Sequence, residues 1–308
     1  MVKAPDLSII ILNYNVKELL LNCLESIFKN KGKEDKWQVV VVDNASIDGS
    51  VEAVKQLRSH MSSGNTVDII ENRENMGFAN GNNVAIPKVK APVVLFLNPD
   101  TKIVGDVIQK CLDKLLSNPD LGAISPRVEL PDGRLDYSCH RGFPTPWNSL
   151  MYFSGISKLF PKIKLFSGYT ASYLDTQTEH EIDCITGAFL MVRKIAGDQI
   201  HWWDKDYFFN GEDIEFCFSL KEKGWEIYYY PKVKIIHYKG SSSGLWSTAK
   251  IQVSKESRLK SAKHSTGAMR IFYMKHYYKK YPVFFRDLVL LGIKSLEHYR
   301  KAKIWISR

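Results

Sequence analysis

The 308-residue sequence lacks several patterns that would assign it to a class at once. Its five cysteines are scattered and never form a C-x-x-C pair, which argues against a disulfide framework or a structural zinc site. Gly (19) and Pro (12) are too few for a low-complexity chain, and 44% hydrophobic residues are typical of a globular protein. No run of 18 uncharged apolar residues predicts a membrane span, and the first residues do not resemble a signal peptide. We therefore expect a globular protein of a reducing compartment.

Two common phosphate-binding motifs are also missing. No G-x-x-x-x-G-K-[ST] segment is present, which excludes a P-loop NTPase. No G-x-G-x-x-G follows the first apolar run, which disfavours a dinucleotide-binding site. Without a glycine-rich loop, the charge of a bound diphosphate would have to be offset mainly by a metal ion.

The positive charge is concentrated at one end of the chain. Residues 249–308 contain 15 Lys and Arg against 3 Asp and Glu, a net charge of +12, whereas the whole chain carries +10. The remaining 248 residues are therefore slightly acidic, at −2. This asymmetry indicates an anionic partner of the C-terminal segment, or else a solvated helical face.

Apolar runs and helical periodicity alternate through the first 120 residues. Runs that are apolar on both faces, separated by helices, are typical of a parallel sheet covered on both sides. The predicted strands are 7–12, 37–42, 67–70 and 92–97, and the predicted helices are 16–28, 48–60, 77–86 and 105–116. Beyond them we predict a loop-rich insertion with short helices (131–182), strands at 184–193 and 224–238, a helix at 212–223, and basic helices from residue 251, separated at Pro282.

Polar side chains follow each of the four predicted strands. Asn, Asp and Gly often occur there simply because they turn the chain. Because ligands bind at the carboxyl ends of such strands, four polar ends together also fit a nucleotide site. Asp100, after the fourth strand, is suited to hold a divalent cation against a diphosphate.

Six segments in this order resemble the GT-A-fold inverting glycosyltransferases of family 2, and specifically their rhamnosyltransferase-like branch. The resemblance covers roughly residues 7–240, apart from the insertion. The segments are 8–15 (SIIILNYN), 39–50 (VVVVDNASIDGS), 75–83 (NMGFANGNN), 95–101 (LFLNPDT), 186–189 (TGAF) and 208–225 (FFNGEDIEFCFSLKEKGW), followed by Ile236-His237.

The resemblance implies a site for a nucleoside-diphosphate sugar and a divalent metal, Mg²⁺ or Mn²⁺. Asn98-Pro99-Asp100 takes the place of the family's D-x-D metal motif, with an amide for the first carboxylate. Asp100 would be the main metal ligand, and His237 a further ligand or a contact to the diphosphate. A histidine nitrogen suits Mn²⁺ better than Mg²⁺, but a histidine after a strand can also be a purely structural polar end. The implied nucleotide-sugar residues are Asn13, Tyr14, Asn15, Asp43, Asn75, Gly77, Phe78, Asn82, Asn98 and Asp100.

The resemblance assigns catalysis to Glu212 and Asp213. An inverting transfer needs a base that removes the proton of the acceptor hydroxyl, and Asp213 would be that base, with Glu212 beside it. Acidic residues at a helix start can also simply interact with the helix dipole, which contributes ~0.3–1 kcal/mol.

The basic C-terminal segment interleaves cations with aromatic residues between 270 and 308. This pattern is typical of a helix that lies on an anionic membrane surface, although dimerisation or packing on the body would fit it too. Enzymes resembling this branch glycosylate polyprenyl-diphosphate-linked acceptors, so we expect a cytoplasmic, peripheral membrane location.

Three functional hypotheses follow. The leading one is transfer of a sugar from dTDP-rhamnose or a UDP-hexose to a saccharide, which we expect to be lipid-linked, in surface polysaccharide synthesis. The others are a sugar nucleotidyltransferase, disfavoured because Asn13-Tyr14-Asn15 offers no triphosphate-binding loop, and a nucleic-acid-binding protein, disfavoured by the slightly acidic body. We expect a GT-A domain over 1–248, with a nucleotide-binding half (1–125) and an acceptor-binding half (126–248), and a helical extension over 249–308. The predicted fold class is α/β, with a mostly parallel central sheet flanked by helices.

Overall fold

A computed structural model describes residues 5–33, 35–60, 66–239 and 255–306. Its strands are β1 (Leu7–Asn13), β2 (Trp37–Asp43), β3 (Val67–Glu71), β4 (Val93–Leu97), β5 (Thr101–Ile103), β6 (Leu121–Glu129), β7 (His180–Glu181), β8 (Phe189–Arg193) and β9 (Glu226–His237). Its α-helices are α1 (Lys17–Lys29), α2 (Ser50–Ser59), α3 (Gly77–Ala85), α4 (Val107–Ser117), α5 (Pro146–Phe153), α6 (Ile156–Leu159), α7 (Lys164–Ser167), α8 (Lys194–Gln199), α9 (Glu212–Glu222), α10 (Lys255–His276) and α11 (Val283–Ile306).

Within these described ranges the strands form one sheet in the order β3-β2-β1-β4-β8-β6-β9-β5, with β7 paired to β9. Every residue of β2 and of β4 is buried, because helices cover both faces of the sheet there. Strands β1 to β4 pair in parallel, as predicted. The α/β fold class with flanking helices is therefore confirmed.

The second half of the sheet is mixed, and the expectation of a mostly parallel sheet holds only for the first half. Strand β8 is antiparallel to both β4 and β6, and β9 is parallel to β6 but antiparallel to β5 and β7. Because β9 has 12 residues, it can pair with three strands at different points along its length.

Several details differ from the sequence prediction. The strand predicted at 184–193 begins only at Phe189, and the short strands β5 and β7 were not predicted. The hydrophobic pattern does not predict β6, because Ser125 and Pro126 interrupt its apolar run, and the pairing register with β9 shifts at Pro126. Helix α2 is preceded by Gly49 in a left-handed conformation rather than starting at Asp48. The Asp48 carboxylate instead accepts hydrogen bonds from the backbone N–H groups of Ser50 and Lys17, so it serves the starts of two helices.

The C-terminal helices α10 and α11 are separated at Pro282, as predicted. No helix in the described part of the chain is long and apolar enough to cross a membrane. The predicted boundary at residues 248/249 and the predicted helix start at residue 251 lie outside the described residues.

Candidate active site

A cavity of about 400 Å³ opens where the loops after β4 and β9 meet the start of α9. It collects residues that are far apart in the sequence. The predicted site residues that line it are Phe78, Asn98, Asp100, Glu212, Asp213 and His237.

Backbone pairing fixes the positions of Asp100 and His237 at one end of this cavity. Thr101 pairs with His237 in the β5–β9 ladder, and the Tyr238 N–H donates to the Asp100 carbonyl over 2.8 Å. The Asp100 Oδ1 therefore lies 3.3 Å from His237 Nε2, and both side chains are almost fully buried.

A second carboxylate orients the His237 ring. Asp136 Oδ2 lies 3.0 Å from His237 Nδ1, while Asp136 Oδ1 accepts a hydrogen bond from Lys239 Nζ. Burial disfavours the charged imidazolium, but the charges of Asp100 and Asp136 and their hydrogen bonds outweigh it and raise the pKa of His237 to about 9. In the absence of a metal ion, His237 is therefore an imidazolium whose Nε2–H faces Asp100 and whose Nδ1–H faces Asp136.

Asp100 and His237 are the side chains that could hold a metal ion at this end of the cavity. Among the described residues, no group of three or more His, Cys, Asp and Glu side chains surrounds a common point. Asp100 and His237 supply two adjacent donors, and Asp136 holds the outer ring nitrogen, as a second-sphere carboxylate does for metal-bound histidines. Mg²⁺ and Mn²⁺ commonly bind one or two protein ligands together with substrate phosphates.

The adjacent carboxylates Glu212 and Asp213, at the start of α9, have different surroundings. Asp213 Oδ2 accepts a 2.7 Å hydrogen bond from Arg141 Nη2, and its Oδ1 accepts one from the Ile214 N–H. The Glu212 side chain is buried, and its Oε2 has no hydrogen-bond partner.

These surroundings separate the charge states of the two carboxyls. Burial, followed by the negative charge of Asp213, raises the pKa of Glu212 to about 8. Glu212 is therefore mostly protonated at neutral pH, while Arg141 compensates the charge of Asp213. Two carboxyls in unlike environments are a recurrent arrangement in acid–base catalysis.

The predicted residues after β1 and β2 form a separate group that does not line this cavity. Asn13 Nδ2 donates to Asp43 Oδ1 over 2.9 Å and to Ser46 Oγ over 3.0 Å, and the Asn15 N–H donates to the same hydroxyl. The buried Asn13 Oδ1 has no partner. These hydrogen bonds connect the C-terminal ends of β1 and β2. The role of Asn13, Asn15 and Asp43 in nucleoside binding stays a prediction.

The residues around the start of α3 are linked by a further amide network. The Asn44 amide joins the Asn75 side chain and the Gly77 carbonyl. Asn82 is buried, and its amide donates to the Phe78 carbonyl within α3, whereas Tyr14 is 42% exposed at the surface. The predicted contacts of Tyr14, Asn75, Gly77 and Asn82 with a nucleotide sugar also stay predictions.

Sequence reasoning missed the residues of the insertion that hold the predicted ones. Asp136 and Arg141 follow no helical or strand periodicity, and their partners lie 101 and 72 residues further along the chain. Arg300 of α11 also lines the cavity, although the C-terminal helices were expected to contact a membrane, a second subunit or the body of the protein and were not assigned to the site.

A match to a known family shows which protein family this chain belongs to. The model "Glycosyl transferase family 2" matches residues 8–180, more than half of the chain. The chain belongs to glycosyl transferase family 2. Of the three hypotheses, the glycosyltransferase is therefore confirmed, and the nucleotidyltransferase and the nucleic-acid-binding protein are not supported.

Curated relatives of this glycosyltransferase include two named transferases. The N-acetylglucosaminyl-diphospho-decaprenol L-rhamnosyltransferase of Mycobacterium tuberculosis is 25% identical over 217 residues, which is 67% of this chain and 68% of the relative. The low-salt glycan biosynthesis hexosyltransferase Agl10 of Haloferax volcanii is 27% identical over 240 residues, 75% of this chain and 67% of the relative.

Two solved structures share the fold of this glycosyltransferase. The mannosyltransferase PcManGT of Pyrobaculum calidifontis, in complex with GDP-Man and Mn²⁺, superposes with a TM-score of 0.59 at 17% identity, over 98% of this chain and 74% of that one. GalNAc-T7 with UDP, GalNAc and Mn²⁺ superposes with a TM-score of 0.57 at 12% identity, over 77% of this chain but only 44% of that one. These similarities confirm the predicted GT-A fold.

Proposed function

We propose that this glycosyltransferase moves a sugar from a nucleoside-diphosphate sugar, dTDP-rhamnose or a UDP-hexose, to a hydroxyl of a polyprenyl-diphosphate-linked saccharide, with inversion at the anomeric carbon. The observation that carries the proposal is that Asp100 and His237 line the same cavity as Glu212 and Asp213. A diphosphate site and a proton acceptor within one cavity are what such a displacement requires.

In this proposal Asp100 and His237 hold a divalent cation, Mn²⁺ or Mg²⁺, on the donor diphosphate. The cation supplies positive charge that stabilises the departing nucleoside diphosphate. The solved relatives with a bound nucleotide or nucleotide sugar also contain Mn²⁺, which supports this assignment. Phe78 and Asn98 shape the donor end of the cavity.

Asp213 then acts as the general base. The acceptor oxygen forms a bond to the anomeric carbon, its proton passes to an Asp213 oxygen, and the bond from that carbon to the diphosphate breaks on the opposite face. Arg141 orients the Asp213 carboxylate through its 2.7 Å contact. Glu212, neutral at pH 7, avoids placing a second negative charge beside the base.

The experiment is transfer of radiolabelled sugar by Asp213→Asn and Glu212→Gln, with Asp113→Asn on the exposed face of α4 as the matched control. We expect Asp213→Asn to lower kcat by about 10²–10⁴-fold with unchanged stabilisation by the nucleoside diphosphate, and Asp113→Asn to match the wild type. Full turnover by Asp213→Asn would remove it from this role. A loss seen only in Glu212→Gln would assign the base to Glu212.

The acceptor assignment rests on the relatives. The mycobacterial relative is named for a diphospho-decaprenol acceptor, and a lipid acceptor suits a protein with a basic C-terminal segment of net charge +12. We propose the division into a GT-A domain (1–248) and a membrane-contacting extension (249–308), located on the inner face of the membrane.

Exposed apolar side chains on α11 provide the contact in this proposal. Phe284 is 74% and Trp305 66% exposed, on a helix that also carries several cations. We expect the double variant Phe284→Ser, Trp305→Ser to float less with anionic vesicles than the wild type, whereas Leu116→Ser on α4 floats equally. Equal flotation of all three proteins would contradict a membrane role of α11.

A further inference from the structure

The C-terminal helices form a fixed wall of the catalytic cavity. On α10, His276 Nε2 lies 2.9 Å from Glu215 Oε2 on α9, the helix that begins with the two catalytic carboxyls, and Lys275 pairs with Asp204. Ser265 of α10 and Arg300 of α11 consequently line the same cavity as Asp213. The C-terminal segment therefore contributes directly to the site.

Arg300 differs from the other Lys and Arg side chains of this cavity, Arg141 and Lys239. Arg141 is paired with Asp213, and Lys239 with Asp136. The Arg300 Nη1 donates to the Ser265 hydroxyl over 2.9 Å, and no described carboxylate lies within ion-pair distance of its guanidinium. Burial lowers the pKa of Arg300, only partly opposed by the nearby Tyr152 and Tyr169, as expected for a desolvated cation without a counter-charge.

A guanidinium of this kind is suited to bind an anion. Its planar donors match phosphate oxygens in pairs, and a neutral hydroxyl such as that of Ser265 orients it without cancelling its charge. Arg300 lies near Tyr152 and Tyr169, whereas His237, which pairs with Asp100, also pairs with Asp136. Arg300 therefore faces other residues of the insertion, Tyr152 and Tyr169, than the one, Asp136, that contacts the group assigned to the donor diphosphate.

A second cavity of about 870 Å³ adjoins this point. It lies between α10 and α11 and shares Phe209, Asn210 and Ala268 with the catalytic cavity. Its lining combines apolar and cationic side chains, among them Ile271, Leu290, Ile293, Lys263, Arg270 and Lys294, with two carboxylates, Asp206 and Glu297, that are paired with Lys275 and Lys301. An apolar groove with cations along it complements a molecule that joins a hydrocarbon chain to phosphate.

We propose that Arg300, oriented by Ser265, binds the phosphate groups of a polyprenyl-diphosphate-linked acceptor, and that the adjoining groove between α10 and α11 holds the first isoprene units of its chain. This inference rests on the proposed function in one respect, the lipid-linked acceptor. It assigns recognition of the lipid diphosphate to the extension, while donor binding and proton transfer remain with the GT-A domain.

The test is equilibrium binding of farnesyl diphosphate, with farnesol as the uncharged probe, in the presence of a saturating nucleoside diphosphate and Mn²⁺. The proteins are the wild type, Arg300→Gln, Arg300→Lys, and Lys303→Gln, an exposed cation of the same helix. We expect Arg300→Gln to weaken farnesyl diphosphate binding roughly 10- to 100-fold, the range of a charge-assisted hydrogen-bond pair. Arg300→Lys should lose less, Lys303→Gln should match the wild type, and farnesol binding should be the same for all four.

Several outcomes would overturn the inference. One is a wild type that does not bind farnesyl diphosphate once the nucleoside diphosphate is present. A second is equal weakening by Arg300→Gln and Lys303→Gln, which would indicate general surface charge. A third is a loss of nucleoside diphosphate binding in Arg300→Gln at unchanged Tm, which would place Arg300 at the donor. None of these concerns sugar transfer by the wild type, which tests the proposed function separately.

Discussion

The buried Glu212 leads to a prediction about stability rather than catalysis. Its pKa is raised from 4.5 to about 8, first by burial and then by the charge of Asp213. Folding therefore favours the protonated form, and the stability that this form contributes is complete below pH 4.5. That contribution is lost as the pH rises toward 8, because the unfolded chain releases the proton earlier than the folded protein does.

Glu212→Gln removes this titration while keeping the shape of the side chain. Between pH 5 and 8 the free energy of unfolding of the wild type should fall relative to that of the variant by about 1.4 kcal/mol per pH unit. From pH 5.5 to 7.5 the difference reaches about 3 kcal/mol, and above pH 8 it should become constant.

The assay is urea unfolding followed by circular dichroism at half-unit pH steps, without donor or metal. Glu222→Gln, at the exposed end of the same helix, provides the matched removal of one acidic side chain, and its pH dependence is subtracted. A constant difference between Glu212→Gln and the wild type over this range would show that Glu212 ionises as freely in the folded protein as in the unfolded chain. The argument for a neutral Glu212 at pH 7 would then be refuted.

Two further predictions concern the metal and the backbone. We expect His237→Ala to need at least ten times more Mn²⁺ for half-maximal transfer, because one of the two proposed protein donors is lost. The exposed His60→Ala should not change the metal response, and an unchanged response of His237→Ala would exclude ligation. We expect Gly105→Ala to lower the free energy of unfolding by about 1 kcal/mol, because its φ is +59° and the space around it is open. Gly77→Ala should lower it clearly more, because at φ +77° an added Cβ would lie 2.4 Å from the Phe208 carbonyl oxygen. Urea unfolding of both variants measures the difference. Equal losses of stability in the two glycine variants would show that the backbone near Phe208 can move away from an added Cβ at position 77 without cost.

The first half of the fold could be predicted because its signals are local. Continuous apolar runs placed β1 to β4 within about one residue of their ends. Gly224 follows the C-terminus of α9 and has a φ of +86°, as is typical of a glycine just after a helix. Strand β6 could not be predicted, because a proline and a serine interrupt its apolar run and its place in the sheet depends on β8 and β9.

The candidate site likewise contains residues that local sequence patterns predict and residues that they do not. Asp100, Glu212, Asp213 and His237 stand in segments that resemble family motifs, and the structure brings all four to one cavity. Arg141 could not be predicted, since its function depends on an ion pair that spans 72 residues and no local pattern marks it. Long-range pairing of this kind is decided by tertiary packing rather than by neighbours in the sequence.

The three-way pairing of β9 has a consequence for biosynthesis. Strands β5, β6 and β7 all precede β9 in the chain, and each of them pairs with β9 in the sheet. His237 is the last residue of β9. Because synthesis proceeds from the N-terminus, a nascent chain released from the ribosome before residue 237 would have a nearly finished parallel half but no means of closing the site. The Asp100–His237 pair therefore forms late and in one step, when this single segment docks against partners made up to 136 residues earlier.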